Sequence, residues 1–390
     1  MSLTLGRYSG YIPAEKKTST DVESAGGART KKLTQAGGRP PWAAALVRAV
    51  PSLLFLLTCM SALYPLLVSP MFDRRPWGAL DLSPIYPGHR FDEKIGEAWL
   101  TGDSCKVANG PLRGQSLAEL SERYGRALVG DAAAEANRFP LLTKFLFPHE
   151  KLSVQVHPDD ETAQSCGHPW GKTECWYVAH AKPGAQLALG LKPGTTRAQF
   201  EEAIHQQRAE ELLNWVNIFP GEMIYVPGGT VHTLGPGSII VETQQQSDTT
   251  YRLYDYGRPR ELHLEQGIAA VKEQARAGKV LRPAPITLEK SKNQRAPLVA
   301  SPFFVVDLLD LKEPQQFRPG PGKSSVEILV AVEGCGILEA AGSEPVTFAK
   351  GDAIVIPASA EEFRVRPQWA VEFLRAALPR EVTAEPSVRL

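Results

Sequence analysis

The sequence predicts a mainly β protein in which two β-barrel domains follow one another along the chain. Its 390 residues leave room for two domains that each have a core. The 33 glycines and 32 prolines are typical of many short strands joined by turns rather than of a helical bundle. Apolar, strand-like stretches return from Leu288 onward, after a segment Pro283-Ala284-Pro285 that indicates a linker. We therefore expect a first domain over residues 60–285 and a second over residues 286–390.

Charge and cysteine content exclude several classes of function. The chain has 43 basic and 43 acidic residues, so it lacks the basic surplus that nucleic-acid binding requires. Its five cysteines are odd in number and scattered, which argues against a disulfide framework or a zinc ribbon and suits a reducing cytoplasm. We expect a cytoplasmic protein without a nucleic-acid partner. The cysteines are Cys59, Cys105, Cys166, Cys175 and Cys335.

The first 59 residues differ from the rest of the chain. They begin with a long polar stretch without apolar periodicity, which predicts disorder. The run Ala49–Val68 then carries no charge for twenty residues and is long enough to span a bilayer. Pro51 and Pro65 interrupt this run, so a membrane anchor is the less favoured alternative. We expect residues 1–59 to be a disordered or mis-started extension, with Met60 as the functional start.

A few short helices are expected beside the barrels. Ser116 followed by Glu119 three residues later forms a capping box and predicts a helix start. A second helix is predicted to begin at Thr196 and to continue through Leu213. A third is predicted from His263 to Ala277, where the following glycine would end it.

The pattern G-x5-P-x-G-x2-H over residues 221–232 is the most informative motif of the chain. A β-branched and aromatic stretch that enters Pro-Gly-Gly predicts a strand, a tight turn and the start of a second strand. At that corner His232 would point into the mouth of a barrel, where a metal could be held.

A second group of candidate ligands lies upstream. Side chains alternate along an extended strand, so Gln155 and His157 face the same way, and Glu174 begins another strand-like run. With His232 they provide one amide oxygen, two imidazoles and one carboxylate, a mixed set that suits catalytic zinc or another divalent ion. The alternative is that both histidines are ordinary strand residues. Their matched strand–turn contexts, with Glu174 between them, favour a metal site.

These motifs resemble those of a known enzyme family. The spacing around His232 is similar to the second signature of cupin barrels, and the ordered motifs resemble class I mannose-6-phosphate isomerase (phosphomannose isomerase) of the short bacterial type. The resemblance covers about residues 60–390 and weakens after about residue 285. It implies two cupin-type (jelly-roll) β-barrels. The motifs that carry it are residues 64–70, Arg75-Pro-Trp-Gly78, residues 144–147, residues 152–159, residues 171–174, residues 226–232 and residues 250–256.

The resemblance also implies an activity and a set of roles. The enzyme would interconvert mannose 6-phosphate and fructose 6-phosphate through an enediol(ate), either toward GDP-mannose biosynthesis or for use of mannose as a carbon source. Lys172, Glu242 and Arg252 match positions that perform or assist proton transfer, and Lys144 and Ser153 match phosphate contacts. The implied cofactor is one divalent ion per chain, Zn²⁺, and the implied assembly is a monomer or a weak homodimer.

Each of these roles has a structural alternative. Lys172 could be a solvated loop lysine, and Lys144 could be a surface charge. Glu242 could simply pair with a neighbouring base, and Arg252, which lies among tyrosines, could be a stacked structural arginine. Asp255 and the nearby Arg258 are expected to form a structural ion pair. The identity of the proton-transfer base stays open.

Two rival functions use the same scaffold. A cupin oxygenase would carry a histidine-rich iron site and an apolar pocket, and a non-catalytic sugar-phosphate binding protein would have lost a ligand or Lys172. In the second barrel the frame Gly351 to Pro357 repeats, but Ser359 stands in place of glycine and Glu362 in place of histidine. We therefore expect the second barrel to be structural and without a metal.

Overall fold

A computed structural model describes residues 62–288 and 291–390. The extension predicted over residues 1–59 and the start at Met60 lie outside the described residues. Among the described residues, no helix is both long enough and apolar enough to cross a bilayer.

The described residues form mostly short antiparallel strands, which confirms the mainly β prediction. In the first part of the chain the strands are β1 (Leu66–Ser69), β2 (Met71–Asp81), β3 (Arg90–Trp99), β4 (Lys106–Val107), β5 (Leu141–Leu146), β6 (Val154–Val156), β7 (Glu174–Ala181), β8 (Gln186–Leu191), β9 (Leu213–Asn217), β10 (Met223–Val226), β11 (His232–Leu234), β12 (Ser238–Gln245), β13 (Tyr251–Tyr254) and β14 (Gly278–Val280).

The last third of the chain is built of strands as well. They are β15 (Ile286–Thr287), β16 (Gln294–Ala300), β17 (Val305–Leu311), β18 (Gln315–Phe317), β19 (Glu327–Ala340), β20 (Val346–Ala349), β21 (Ala353–Ile356), β22 (Phe363–Ala377) and β23 (Val388–Arg389).

A few short helices accompany the sheets, as predicted. They are α1 (Leu117–Tyr124), α2 (Arg126–Val129), α3 (Asp160–Ser165), α4 (Arg197–His205) and α5 (Leu264–Ala270), with a 3-10 turn over Ala209–Leu212. The capping box at the start of α1 is confirmed, because Ser116 accepts from the backbone of Glu119 and the Glu119 side chain accepts from Ser116.

Two helix ends were predicted wrongly. The helix that begins after Thr196 stops at His205 instead of reaching Leu213, because Gln207 takes a backbone angle φ of 59° that no α-helix contains. The helix near His263 ends at Ala270 and not at Ala277. Beyond it the chain turns so that the Lys272 amide donates to the carbonyl of Gly229, beside the predicted metal site.

The first barrel consists of two facing sheets. One is eight-stranded, in the order β2-β3-β5-β12-β7-β10-β14-β23, and the other is five-stranded, in the order β13-β6-β11-β8-β9. Their inner faces meet in one apolar core that includes Trp176 and Ile240 from the first sheet and Leu187 and Leu234 from the second. Helices α4 and α5 cover the outer face of the five-stranded sheet through residues such as Phe200.

The second barrel is a ten-stranded sheet that bends around its own core. Strands β19 and β22 are long and irregular, and each pairs with different neighbours along its two halves. The first half of β19 pairs with β21 and the second half with β20. Leu329 from the first half and Leu338 from the second both lie in the enclosed core. The fold is thus a pair of jelly-roll barrels with a few added helices.

Short strands from the ends of the described chain join the opposite barrel. Strand β1 pairs with β21 in the ten-stranded sheet, with Leu66 opposite Val355, and β23 pairs with β14 in the eight-stranded sheet. A further apolar core, with Phe145 and Tyr225 on one side and Ile328 and Val355 on the other, joins the eight-stranded sheet to the ten-stranded sheet. The domain boundary at residues 285 and 286 stays a prediction.

Candidate metal centre and catalytic pocket

Strand pairing places the predicted metal ligands at one end of the first barrel. In the five-stranded sheet Gln155 of β6 lies directly opposite His232 of β11, and His157 follows β6 by one residue. Glu174 is the first residue of β7 in the facing sheet. The two sheets therefore bring together side chains that are far apart in the sequence.

The Pro-Gly-Gly turn fixes the corner on which the ligands depend. Gly229 has a φ of +91°, a conformation that glycine adopts without strain, and its amide donates to the carbonyl of His157 over 2.7 Å. A Cβ atom on Gly228 would lie only 2.6 Å from the Cα atom of Asp159. Both glycines are therefore required for the close approach of this turn to the segment that carries His157.

Three of the four predicted ligands form a compact buried cluster. The Nε2 atom of His157 lies 3.6 Å from Glu174 Oε2, and the Nε2 atom of His232 lies 3.4 Å from Glu174 Oε1. One ligand atom from each residue can be chosen so that all lie within 4.8 Å of one another. His157 Nε2 and both carboxylate oxygens of Glu174 are buried without a hydrogen-bond partner among the described residues. Such atoms are costly to bury unless something binds them.

Backbone contacts prepare both imidazoles for metal binding. His157 Nδ1 lies 2.9 Å from the carbonyl oxygen of Thr249, and His232 Nδ1 lies 3.0 Å from that of Thr230. A carbonyl only accepts, so each Nδ1 carries the hydrogen and each Nε2 keeps its lone pair. The lone pairs are on the side of Glu174.

Gln155 completes the set from the same side. Its Nε2 atom lies 3.1 Å from His232 Nε2, and its Oε1 atom accepts from Ser153 Oγ over 3.3 Å. The two ends of a side-chain amide are almost the same in size, so rotation of the Gln155 amide by 180° places its oxygen where its nitrogen lies beside His232.

Burial sets the protonation of the cluster. It lowers the pKa of His232 to about 4 and holds the pKa of His157 well below its ordinary value, and the nearby Lys172 acts in the same direction on both. Burial, together with the charge of Glu242, raises the pKa of Glu174. Two neutral imidazoles and a carboxylate that needs a neighbouring positive charge fit a divalent cation.

A pocket of about 430 Å³ opens beside this cluster. Its walls are strongly charged and contain all of the predicted catalytic and phosphate-contact residues together with Gln155. A larger cavity of about 490 Å³ elsewhere contains none of the nine predicted residues, so we place the chemistry in the smaller one. The polar lining of the smaller pocket is Arg74, Arg75, Glu97, Lys144, Ser153, Gln155, Lys172, Glu242, Asp248, Thr250, Arg252 and Arg260.

A row of paired residues crosses the pocket floor. Lys144 of β5 lies opposite Trp99 of β3 on one side and opposite Glu242 of β12 on the other, and Glu242 lies opposite Trp176 of β7. The Lys144 ammonium is 3.1 Å from Glu242 Oε1, and Trp176 donates to Glu242 Oε2 over 2.9 Å. Burial opposes ionisation of Glu242, but Lys144 and Lys172 together lower its pKa. Glu242 does pair with a base, and Lys144 is buried rather than a surface charge.

The remaining predicted residues line the same pocket. Lys172 is buried, with its Nζ atom 3.7 Å from Glu174 Oε2, so it is not a solvated loop lysine. Arg252 lies opposite Gln155 in the sheet and donates to the carbonyl of Glu261 over 2.7 Å, while its Nε atom is buried without a partner among the described residues.

The predicted ion pair beside Arg252 is present. The Arg258 guanidinium lies 3.0 Å from Asp255 Oδ1. Arg260 also binds Asp255, through contacts of 2.6 and 2.7 Å that the sequence did not indicate. Because Asp255 is buried and bound to both arginines, it anchors the segment that follows β13.

The structure brings all nine predicted site residues to one place, although their individual roles stay predictions. Sequence reasoning missed Glu97, Arg75 and Asp248, which also line the pocket. Glu97 was visible as an acidic residue in the apolar second half of β3, and Arg75 belongs to a motif already noted, but neither signal indicated that the two side chains bind each other in the pocket. In the second barrel Glu362 pairs with Arg318 over 3.2 Å.

Comparison with known proteins places the chain in a family. Residues 84–173 match the family model for the catalytic domain of type I phosphomannose isomerase. The chain is 42% identical over 220 residues to mannose-6-phosphate isomerase ManA of Bacillus subtilis, an alignment that covers 53% of this chain and 68% of that protein.

Solved structures agree in fold. The crystal structure of the mannose 6-phosphate isomerase from Bacillus subtilis superposes with a TM-score of 0.72 at 30% identity and covers 81% of this chain and 100% of that one. A zinc-bound mannose 6-phosphate isomerase has a TM-score of 0.63 at 16% identity, covering 80% of this chain and 98% of that one, and shows the same fold. The chain therefore belongs to the type I phosphomannose isomerase family.

Proposed function

We propose that the protein is a metal-dependent isomerase that interconverts mannose 6-phosphate and fructose 6-phosphate. The observation that carries the proposal is the buried cluster of His157, Glu174 and His232, which has atoms without a partner among the described residues. The cluster lies beside Gln155 and Lys172, which line a pocket of cations and carboxylates. Relatives named mannose-6-phosphate isomerase support mannose 6-phosphate as the substrate.

The metal site would be formed by Gln155, His157, Glu174 and His232. A divalent ion held there would polarise the adjacent hydroxyl and carbonyl oxygens of the open-chain sugar. The mixed nitrogen and oxygen ligands suit zinc. A solved isomerase of the same fold is described as zinc-bound, and we therefore propose Zn²⁺, one ion per chain.

The reaction moves one proton between C2 and C1 of the sugar and one between the two oxygens. We assign the carbon-bound proton to Lys172, which would remove it from C2 and return it to C1. Glu242 is less suited to that role, because Lys144 and Trp176 both stabilise its carboxylate. Its oxygens could instead relay the proton between O1 and O2.

Cationic residues of the pocket would stabilise the negative charge of the substrate's phosphate and the negative charge that develops on the enediolate. Arg252 keeps its charge throughout the relevant pH range, and its Nε atom has no partner in the part of the chain that the structure describes, so it can stabilise the enediolate. Ser153 and Lys144 remain the proposed phosphate contacts. Since Lys144 already touches two carboxylates, we add Arg75 and Arg260 as further sources of positive charge.

We further propose that the enzyme works in the cytoplasm as a monomer or a weak homodimer. Free cysteines support the compartment, since none of Cys105, Cys166, Cys175 and Cys335 is paired within the described residues. The site is consistent with this assembly, because one chain supplies all nine residues and the chemistry requires no partner subunit. The mannose 6-phosphate that the enzyme forms from fructose 6-phosphate would contribute to GDP-mannose biosynthesis.

A coupled assay tests the proposed reaction. Purified full-length protein should convert mannose 6-phosphate to fructose 6-phosphate and back, without oxygen uptake, and should act far more slowly on unphosphorylated mannose. Oxygen consumption would favour a cupin oxygenase instead. Binding of the sugar phosphate without turnover, in protein that contains its metal, would favour a sugar-phosphate binding protein.

A further inference from the structure

We propose that Glu97 is a positioning residue that fixes Lys144 and Arg75 in the walls of the catalytic pocket. The inference rests on the proposed function, because it concerns how that reaction's site is held. Glu97 belongs to β3, forms part of the pocket lining and is 7% exposed.

Four donors from three strands converge on this carboxylate. Arg75 of β2 donates Nε to Oε1 over 3.0 Å and Nη2 to Oε2 over 3.3 Å. Trp99, two residues along β3, donates Nε1 to Oε2 over 2.7 Å. The ammonium of Lys144, on β5, lies 3.4 Å from the same oxygen. Both carboxylate oxygens are therefore bound, and every donor is held by a strand of the same sheet.

The charges of this group depend on one another. Burial alone would favour the neutral acid, but Lys144 and Arg75 lower the pKa of Glu97 to about 2, so it stays ionised. The same contacts raise the pKa of Lys144, against the effect of its own burial, with Glu242 contributing most. A buried charge that loses its partner is costly, so the cations hold their places as long as Glu97 carries its charge.

Each cation connects Glu97 to a different part of the pocket. Lys144 is shared between Glu97 and Glu242, so Glu97 determines how closely the ammonium approaches the carboxylate proposed to relay protons. Arg75 uses Nε for Glu97 and Nη2 for both Glu97 and Asp73, and these contacts do not involve Nη1. The bidentate contact therefore orients a guanidinium that lines the pocket toward an anionic substrate.

Two effects should follow from Glu97→Gln, which keeps the shape and removes the charge. The turnover number should fall by about 10- to 100-fold as Lys144 shifts toward Glu242, and KM for mannose 6-phosphate should rise as Arg75 loses its orientation. Metal content should not change, because Glu97 touches none of the ligands. Glu327→Gln is the matched control, since Glu327 is a partly buried carboxylate paired with Arg380 in the second barrel.

Double-mutant cycles separate positioning from a general structural role. If Glu97 acts through its partners, Glu97→Gln should change kcat much less in a Lys144→Met background and KM much less in an Arg75→Lys background. The proposal would be overturned if Glu97→Gln reduced kcat and raised KM by the same factors in these backgrounds as in the wild type. It would also be overturned if only kcat fell, and fell because a smaller fraction of the protein was folded and active. Should Glu97→Gln fail to fold, Glu97→Asp keeps the charge but retracts it, and wild-type kcat and KM in that variant would overturn the proposal as well.

The wild-type protein is measured in the same assay, with its metal content determined alongside its activity. Inactive, metal-loaded wild type would overturn the proposed function and with it this inference. Active wild type together with unimpaired Glu97→Gln would overturn this inference alone.

Discussion

At the scale of single residues, the two buried histidines determine whether the centre can hold a metal. His157 and His232 each use one ring nitrogen for a backbone carbonyl, which leaves the other on the side of Glu174. The sequence predicted this pair because its spacing relative to a strand and a turn is local. It could not predict Glu97, whose role arises from contacts with residues on β2 and β5.

Removal of one imidazole should empty the centre. In His232→Ala we expect loss of bound metal and a fall in isomerase activity of at least about 10²-fold, because three weak ligands remain where four are needed. Metal analysis and the coupled assay measure the two effects. His205→Ala, at the exposed end of α4, is the matched control. Retention of both metal and turnover in His232→Ala would contradict the assigned site.

The same histidine should make the metal-free protein sensitive to acid. His232 has a pKa of about 4 in the folded state, below the ordinary value of 6.5, so only the unfolded chain takes up its proton between these values. The contribution of His232 to the free energy of unfolding should therefore fall as the pH drops from about 6.5 to about 4, by on the order of 3 kcal/mol. Glu174, whose pKa burial raises, contributes in the opposite direction, so the effect of His232 is the difference between wild type and a variant that lacks this histidine. His157 shifts in the same direction.

Denaturant unfolding of the chelated protein at several pH values measures this slope. His232→Asn, which cannot take up the proton, should show a shallower fall over the same range. An equally steep fall in His232→Asn would assign the acid sensitivity to other groups.

At the scale of elements, the sequence predicted where strands and helices begin better than where helices end. Starts are set by local caps such as Ser116 and Thr196, which the structure contains. Helix ends were less predictable: the helix after Thr196 stops where Gln207 takes a positive φ, and the helix after His263 gives way to a segment whose Lys272 amide donates to the distant Gly229 carbonyl. Sequence periodicity carries no information about that contact.

The Pro-Gly-Gly turn offers a test at this scale. Gly228→Ala would place a Cβ atom 2.6 Å from the backbone of Asp159, so either the turn or the segment after His157 must shift. We expect a loss of stability of about 1 to 3 kcal/mol and weaker metal binding. Thermal unfolding and metal titration measure both effects.

Gly320→Ala is the control for that substitution, because the nearest atom to its added Cβ, on Arg380, is 3.8 Å away. It should behave as wild type. Unchanged stability and metal affinity in Gly228→Ala would show that the close approach at Asp159 is not needed.

At the scale of the whole molecule, the strand patterns predicted the mainly β, two-barrel fold, whereas the linker at the Pro-rich segment stays a prediction. The exchange of β1 and β23 between the barrels could not be predicted. Each of these strands is only two to four residues long, and β1 pairs with residues 353–355, far along the chain. Strands this short lack a pattern that could identify their partners.

Because of this exchange and the shared apolar core, the barrels should unfold together. We expect one calorimetric transition for residues 61–390, although the chain contains two barrels. Leu66→Ala, in β1, should lower the free energy of unfolding by about 2 to 5 kcal/mol. The midpoint of the transition should fall, but the protein should still unfold in one transition. Two separate transitions in the wild type would show that the barrels are independent domains.

The most direct test of the central claim is removal and restoration of the metal in the wild-type protein. The protein stripped by a chelator should lose interconversion of mannose 6-phosphate and fructose 6-phosphate, and activity should return in proportion to added Zn²⁺ until one ion per chain is bound. Full activity in protein shown by mass spectrometry to contain no metal would contradict the account.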